Sequence, residues 1–248
     1  MTKKEIAFIR SLHQKKSRQM YGKFLVEGDK LVNELLASDY KVDAIYHLEN
    51  WKPSVSRTNF STFIVSKEEL NKISTHENPD QVLAVAPIKI NTVENTRPMT
   101  GGLYLACDGL NDPGNAGTII RIADWFGIKK VFFAHSSVDV YNPKVVSAAK
   151  GSLFRTECIY TDLAQLFTEN TELKVYGAVM AGENIYQAAL NQNAFIVIGN
   201  EANGISRELL PFIQQNISIP SFGKAESLNA GVAAGIIVSE FKRRTDLK

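Results

Sequence analysis

Cysteine is scarce in this 248-residue chain, with Cys107 and Cys158 the only two. They share no C-x-x-C spacing and no histidine adjoins either, which argues against a metal knuckle or a disulfide framework. Both sit in apolar runs (LYLACD and ECIY) that read as buried strands. The expectation is two reduced thiols in a core and a reducing, cytoplasmic compartment. Long hydrophobic runs are missing as well. No stretch of about 18 apolar residues occurs and no signal-like segment is seen, so neither membrane insertion nor export is expected. An excess of charge of one sign is nearly absent: 28 Lys and Arg against 26 Asp and Glu leave a net charge of +2. That is too little to announce a nucleic-acid binder. No G-x-G-x-x-G follows a candidate strand, and there is no P-loop, zinc spacing or Ser/His/Asp set. Metal ligation is therefore not expected, and His13, His47, His76 and His135 stand isolated.

What is present is ordinary in bulk. A 44% hydrophobic and 22% charged composition suits a globular protein of one large or two small domains. Basic residues crowd the first thirty positions: Lys3, Lys4, Arg10, His13, Lys15, Lys16, Arg18, Lys23 and Lys30. Such an arm can follow a phosphate backbone, or it can be the solvated face of an amphipathic helix. Lys150-Gly151-Ser152 and Arg155 allow the same two readings, RNA contact or a helix C-terminus.

Helical spacing covers 3–20, 28–38 and 67–73, the last opened by Ser66 and Glu69 as a capping box. Strand-like runs occupy 23–26, 42–47, 62–65 and 81–86. Segment 87–101 carries two prolines and no apolar period, and reads as a linker. Residues 1–97 and 98–248 are thus expected to form separate domains. In the second, candidate strands (103–108, 131–134, 157–160, 174–179, 195–199, 217–219) alternate with candidate helices (116–126, 143–149, 162–169, 183–190, 206–213, 228–242). That order predicts an α/β fold with a parallel sheet covered by helices, and ligands at the carboxyl ends of its strands.

Three segments at those strand ends mix Gly, Asn and Ser with short apolar runs: 112–127 (DPGNAGTIIRIADWFG), 198–206 (IGNEANGIS) and 217–235 (ISIPSFGKAESLNAGVAAG). Glycine there permits close backbone approach. Asn115, Arg121, Glu201, Ser227 and Asn229 are polar groups that a simple core has no reason to hold. Arg121 lies off the apolar stripe of its helix. Asn115 could be a helix cap, Glu201 could cap the next helix or pair with Arg121, and Ser227 reads as an N-cap of the last helix.

In order and spacing, these segments resemble the three motifs of the SpoU/TrmH family of RNA ribose 2'-O-methyltransferases. Residues 22–36 (GKFLVEGDKLVNELL) resemble, more weakly, that family's L30e-like N-terminal substrate domain. The resemblance implies a SPOUT fold, an α/β sheet with a deep trefoil knot, which periodicity alone would not suggest. It implies S-adenosyl-L-methionine as cofactor, RNA as partner (ribosomal RNA before transfer RNA) and a homodimer. It implies a catalytic group of Arg121, Asn115, Glu201, Ser227 and Asn229, with Ala178, Gly199, Ile219 and Leu228 around the cofactor. A transfer-RNA enzyme and a non-catalytic RNA-binding protein of the same fold are the rival expectations.

Overall fold

Side chains that replace missing backbone partners set the first helices. In a computed structural model that describes residues 1–55, 57, 59–89 and 101–246, Thr2 and Glu5 exchange capping hydrogen bonds at the start of α1 (Lys3–Ser11). Ser66 and Glu69 do the same for α4 (Lys67–Ile73). The basic stretch after α1 does not continue as one helix. It turns at Leu12–Gln14 and restarts as α2 (Lys15–Tyr21), which ends on Gly22 with φ 61°. Strands β1 (Lys23–Glu27), β2 (Ala44–His47), β3 (Ser61–Ile64) and β4 (Val82–Pro87) form a sheet in the order β1-β4-β2-β3, with α3 (Asp29–Ala37) following β1. Only the β2–β3 pair is parallel. Ile9, Leu12, Leu25, Leu70, Ile73 and Leu83 are among the side chains of its core.

This first unit comprises residues 1–90 together with 139–155, a segment from the second half of the sequence. That segment carries α6 (Pro143–Ala149). The join is polar and aromatic. Arg18 is 2% exposed and donates to the Leu12 and His13 carbonyls at 3.0 and 2.8 Å, and to Asp139 Oδ2 at 3.0 and 2.6 Å. Tyr141 lies 4.7 Å from the Phe24 ring. Arg18 is therefore an internal staple, not part of a solvated arm. Arg155 likewise is paired with Glu34, at 2.6 Å. The expected linker 87–101 falls mostly outside the described residues.

The second unit, residues 91–138 and 156–248, holds six parallel strands. They are β5 (Leu103–Cys107), β6 (Lys130–Ala134), β7 (Glu157–Thr161), β8 (Lys174–Asn184), β9 (Ala194–Ile198) and β10 (Gln215–Ser218), in the order β10-β8-β9-β5-β6-β7. Runs such as AFIVI in β9 are buried throughout, as strands covered on both faces must be. Helices α5 (Pro113–Trp125), α7 (Leu163–Thr168) and α8 (Ala230–Asp246) accompany them. The α/β parallel-sheet expectation holds. No helix among the described residues is long and apolar enough to cross a membrane.

Two expected helices do not form. Segment 183–190 starts inside β8, because Glu183 and Asn184 pair with Ile217 and Ser218 of β10, and Ile185 N–H donates to the Ser218 carbonyl. Segment 206–213 contains Pro211, which lacks an N–H, and only a 3₁₀ turn at Leu210–Phe212 appears. The final helix starts at Ala230. Its cap is Asn229, whose Oδ1 accepts from the N–H groups of Gly231 and Val232 at 3.0 and 3.2 Å. Ser227 lies too early to serve, which corrects the expected cap.

Candidate active site

Strand order makes the crevice. The chain runs outward through β5, β6 and β7, then returns on the other side as β8 and β9, so β5 and β9 are neighbours whose following loops lie side by side. Such a switch point opens a ligand crevice beyond the carboxyl ends. The register is level there: Cys107 of β5, Ile198 of β9 and Ala178 of β8 stand in one row.

The loop after β9 is tied by its own backbone. Asn200 and Gly204 exchange two N–H to carbonyl bonds at 2.9 Å, which folds residues 200–204 into a tight bracket. Gly199 lies against that bracket. A Cβ at Gly199 would stand 2.4 Å from the Gly204 carbonyl carbon and 2.5 Å from the Ile205 nitrogen, so no side chain fits. Asn200 Oδ1 accepts from Ala202 and Asn203 N–H, while its Nδ2 donates to the Gly109 carbonyl at 2.7 Å. Its backbone is not left-handed. Across the crevice, Asp108 Oδ2 accepts from Ser206 N–H at 2.6 Å.

The loop after β5 meets this bracket through Glu201. Asp112 caps α5 by accepting from Asn115 N–H at 2.7 Å, with Pro113 in the first turn where its missing N–H is harmless. That cap leaves the Asn115 side chain buried and aimed at Glu201, whose Oε1 accepts from Asn115 Nδ2 at 2.9 Å. Longer contacts of 3.4 Å run to Glu201 from the Asn111 and Asp112 N–H groups. Burial disfavours the Glu201 charge. The Asn115 amide and the N–H groups of Glu201 itself, Asn111 and Asp112 outweigh it and hold this carboxyl below the ordinary carboxylate range.

The structure thus brings Asn115, Glu201 and Gly199 together, with Ala178 level beside them in the sheet. Arg121 is elsewhere on α5, six residues past Asn115 and about 120° around the helix. It is exposed, on the face of Thr118 and Trp125, and forms no ion pair with Glu201 among the described residues. Ile219 follows β10 and is half-buried, whereas Ser227 and Leu228 are exposed in the loop before α8. Asn229 holds its helix. Three further residues shape the site without having been among its candidates: Asp108, Asp112 and Asn200. Asp112-Pro113 is a readable cap signal. Asp108 and Asn200 act on partners some ninety or more residues distant, for which no local pattern exists.

Residue chemistry and shape both suit a small polar ligand at these strand ends. Gly199 lets the Gly204–Ile205 backbone close onto the end of β9, and the buried Ser206 hydroxyl has no partner among the described residues. The Cys107 thiol is fully buried, and burial pushes its pKa up, so it is inert. A parallel α/β sheet with its polar loops gathered at a topological switch point defines the class of α/β ligand-binding enzymes.

Within that class, the chain belongs to the SpoU rRNA methylase family, whose model matches residues 102–239. An MRM3-like substrate-binding domain model matches residues 3–84. Among relatives, the 23S rRNA (guanosine(2553)-2'-O)-methyltransferase RlmP of Bacillus subtilis is 32% identical over 233 residues, covering 92% of each chain. A TrmH-family protein of Porphyromonas gingivalis superposes with a TM-score of 0.88 at 34% identity over 99% of both chains. The AdoMet-bound rRNA methyltransferase of Sinorhizobium meliloti superposes at 0.86 with 25% identity, over 99% of this chain and 96% of that one.

Proposed function

We propose that the protein is a methyltransferase acting on a ribose 2'-hydroxyl of RNA, ribosomal RNA in particular, with S-adenosyl-L-methionine as methyl donor. The observation that carries this reading is the clasp of Glu201 on Asn115 and the β5 loop, at the strand-end crevice of a SpoU-family chain. The match of residues 3–84 to a substrate-binding domain, and the ribosomal substrate in the RlmP name, favour ribosomal over transfer RNA.

When bound, the cofactor supplies an electrophilic methyl group on a sulfonium. Gly199, Ala178, Ile219 and Leu228 would line its binding place. Glu201 keeps the β5 and β9 loops at a fixed separation, which is an orientation task. Asn115, Ser227 and Asn229 would face the RNA side, Asn229 while also capping α8. A guanidinium is too basic to act as general base, so Arg121 would work as a cation. Its planar fork can hold the adjoining phosphate or steady charge developing on the sugar oxygen. RNA is selected because only ribose carries the nucleophile.

Arg121 points away from Glu201 of its own chain, so it would complete the site of a second copy. Trp125 on α5 (84% exposed) and Val232 on α8 (51% exposed) give that face an apolar character suited to a homodimer. Close contact of α5 with α8 at Gly231 and Gly235 fits an enclosed last helix and the proposed trefoil knot. Residues 1–97 would be the L30e-like substrate domain and 98–248 the knotted methyltransferase domain, in a cytoplasmic enzyme. The test is transfer of labelled methyl from S-adenosylmethionine to ribosomal RNA from cells lacking the protein, with nucleoside mass spectrometry of the product. A 2'-O-methylated nucleoside is expected. A base-methylated product, or none, would reject the reading.

A further inference from the structure

The first unit contains an open cleft of about 750 Å³, and none of the residues proposed for methyl transfer lines it. Its basic side chains come from three places: Arg10 and His13 from the end of α1, Lys72 and His76 from the end of α4, and Lys144 and Lys150 from α6 and its C-cap. No Asp or Glu side chain is among its lining residues, and Pro143 and Ala148 are the apolar members. The remaining lining is short and polar, such as Asn71 and Thr75. The nearby carboxylate of Glu27 is occupied by Ser74 Oγ, Thr75 N–H and Thr75 Oγ1, and so fixes the turn that forms one wall. His13 is fixed too, its Nε2 donating to the Ile73 carbonyl at 2.9 Å. Lys150 is the one non-glycine residue with positive φ (50°) among the described residues. A left-handed lysine ordinarily gives way to glycine or asparagine at such a helix end, so the side chain, rather than the backbone, explains its presence.

We infer that this cleft grips the ribose-phosphate backbone of the RNA substrate, with Arg10, Lys72, Lys144 and Lys150 on consecutive phosphates and the short polar groups on sugar and phosphate oxygens. Basic side chains from three stretches, with short polar donors between them and no carboxylate in the lining, suit a polyanion. A protein partner would want large apolar or aromatic side chains at the centre, and the apolar lining residues are the small Pro143 and Ala148. The inference rests on the methyltransferase reading for the identity of the RNA. It also means that the substrate-binding surface includes α6, which lies outside residues 3–84.

The test uses the full-length protein and unmethylated ribosomal RNA from cells lacking it. The triple variant Arg10→Ala/Lys72→Ala/Lys144→Ala should weaken filter binding about 10- to 100-fold at moderate salt. It should also reduce the slope of log Kd against log salt by about two, with S-adenosylmethionine affinity unchanged. Lys150→Gly should weaken RNA binding several-fold while Tm stays level or rises, because glycine accepts the positive φ. That combination separates a binding cation from a structural one. Wild-type affinity and salt slope in both variants would overturn the cleft and leave the methyltransferase reading standing. Cleft-dependent RNA binding by a protein that transfers no methyl would do the reverse. Saturable micromolar binding of inorganic phosphate, abolished by the same substitutions, would overturn the proposal in favour of a small-anion site.

Discussion

Replacing Glu201 by glutamine tests whether the clasp between the β5 and β9 loops is what holds the site. The substitution keeps length and shape but removes the charge and turns one acceptor into a donor. Three donors now converge on the carboxylate: Asn115 Nδ2 at 2.9 Å and the Asn111 and Asp112 N–H groups at 3.4 Å. A glutamine can accept with one oxygen only, so at least one donor is left facing an NH₂ group. A hydrogen bond to a charged group contributes about 1.5–3 kcal/mol where desolvated. Glu201 is exposed and two of its contacts are long, so a loss of about 1–2 kcal/mol is expected. For a protein of this size that is a fall in Tm of about 2–8 °C. The folded-state pKa of Glu201 is depressed, so its contribution is fully present above the unfolded value. It is lost as pH falls through the unfolded and then the folded pKa. Calorimetric melts of both proteins between pH 7 and pH 3 should therefore differ at neutral pH and converge in acid. Methyl transfer should drop tenfold or more, because Asn115 loses its anchor. Equal melting temperatures at pH 7, or a gap that widens on acidification, would refute the clasp.

Three further perturbations are expected to have distinct effects. Arg121→Lys keeps the charge but loses the planar fork, so turnover with RNA should fall about a hundredfold or more with cofactor binding intact; wild-type turnover would exclude the fork. Gly199→Ala forces a methyl group to within 2.4–2.6 Å of backbone atoms of Gly204 and Ile205. It should lower stability by about 1–3 kcal/mol and weaken S-adenosylmethionine binding, read by titration calorimetry. Asp139→Asn leaves the Arg18 guanidinium buried without its counter-charge, and urea melts should show a loss of about 3 kcal/mol.

Local signals located most of the elements. Buried runs such as FIVI marked parallel strands, Ser66 with Glu69 marked a helix start, and the polar segments 112–127 and 198–206 stood at the ends of β5 and β9, where Asn115 and Glu201 meet. Each of these depends on residues within a few positions of one another. The misses are non-local. ENIYQAAL at 183–190 carries helical spacing, but pairing with β10, more than thirty residues later, extends β8 into it. Ser227 and Asn229 are both good caps, and only the actual start of α8 at Ala230 decided between them.

From the sequence alone came the alternation of strand and helix, the polar residues that break the apolar periods, and the family resemblance they carry. Tertiary structure decided what each polar residue holds. It attached 139–155 to the first unit through the buried Arg18–Asp139 pair. It set Glu201 on Asn115 rather than on Arg121, and gathered six basic side chains from three separate stretches around one cleft. The reason is common to all of them. Periodicity records which face of an element is buried, whereas the partner of a charged or amide group is fixed by contacts between residues far apart in the chain, which no local pattern encodes.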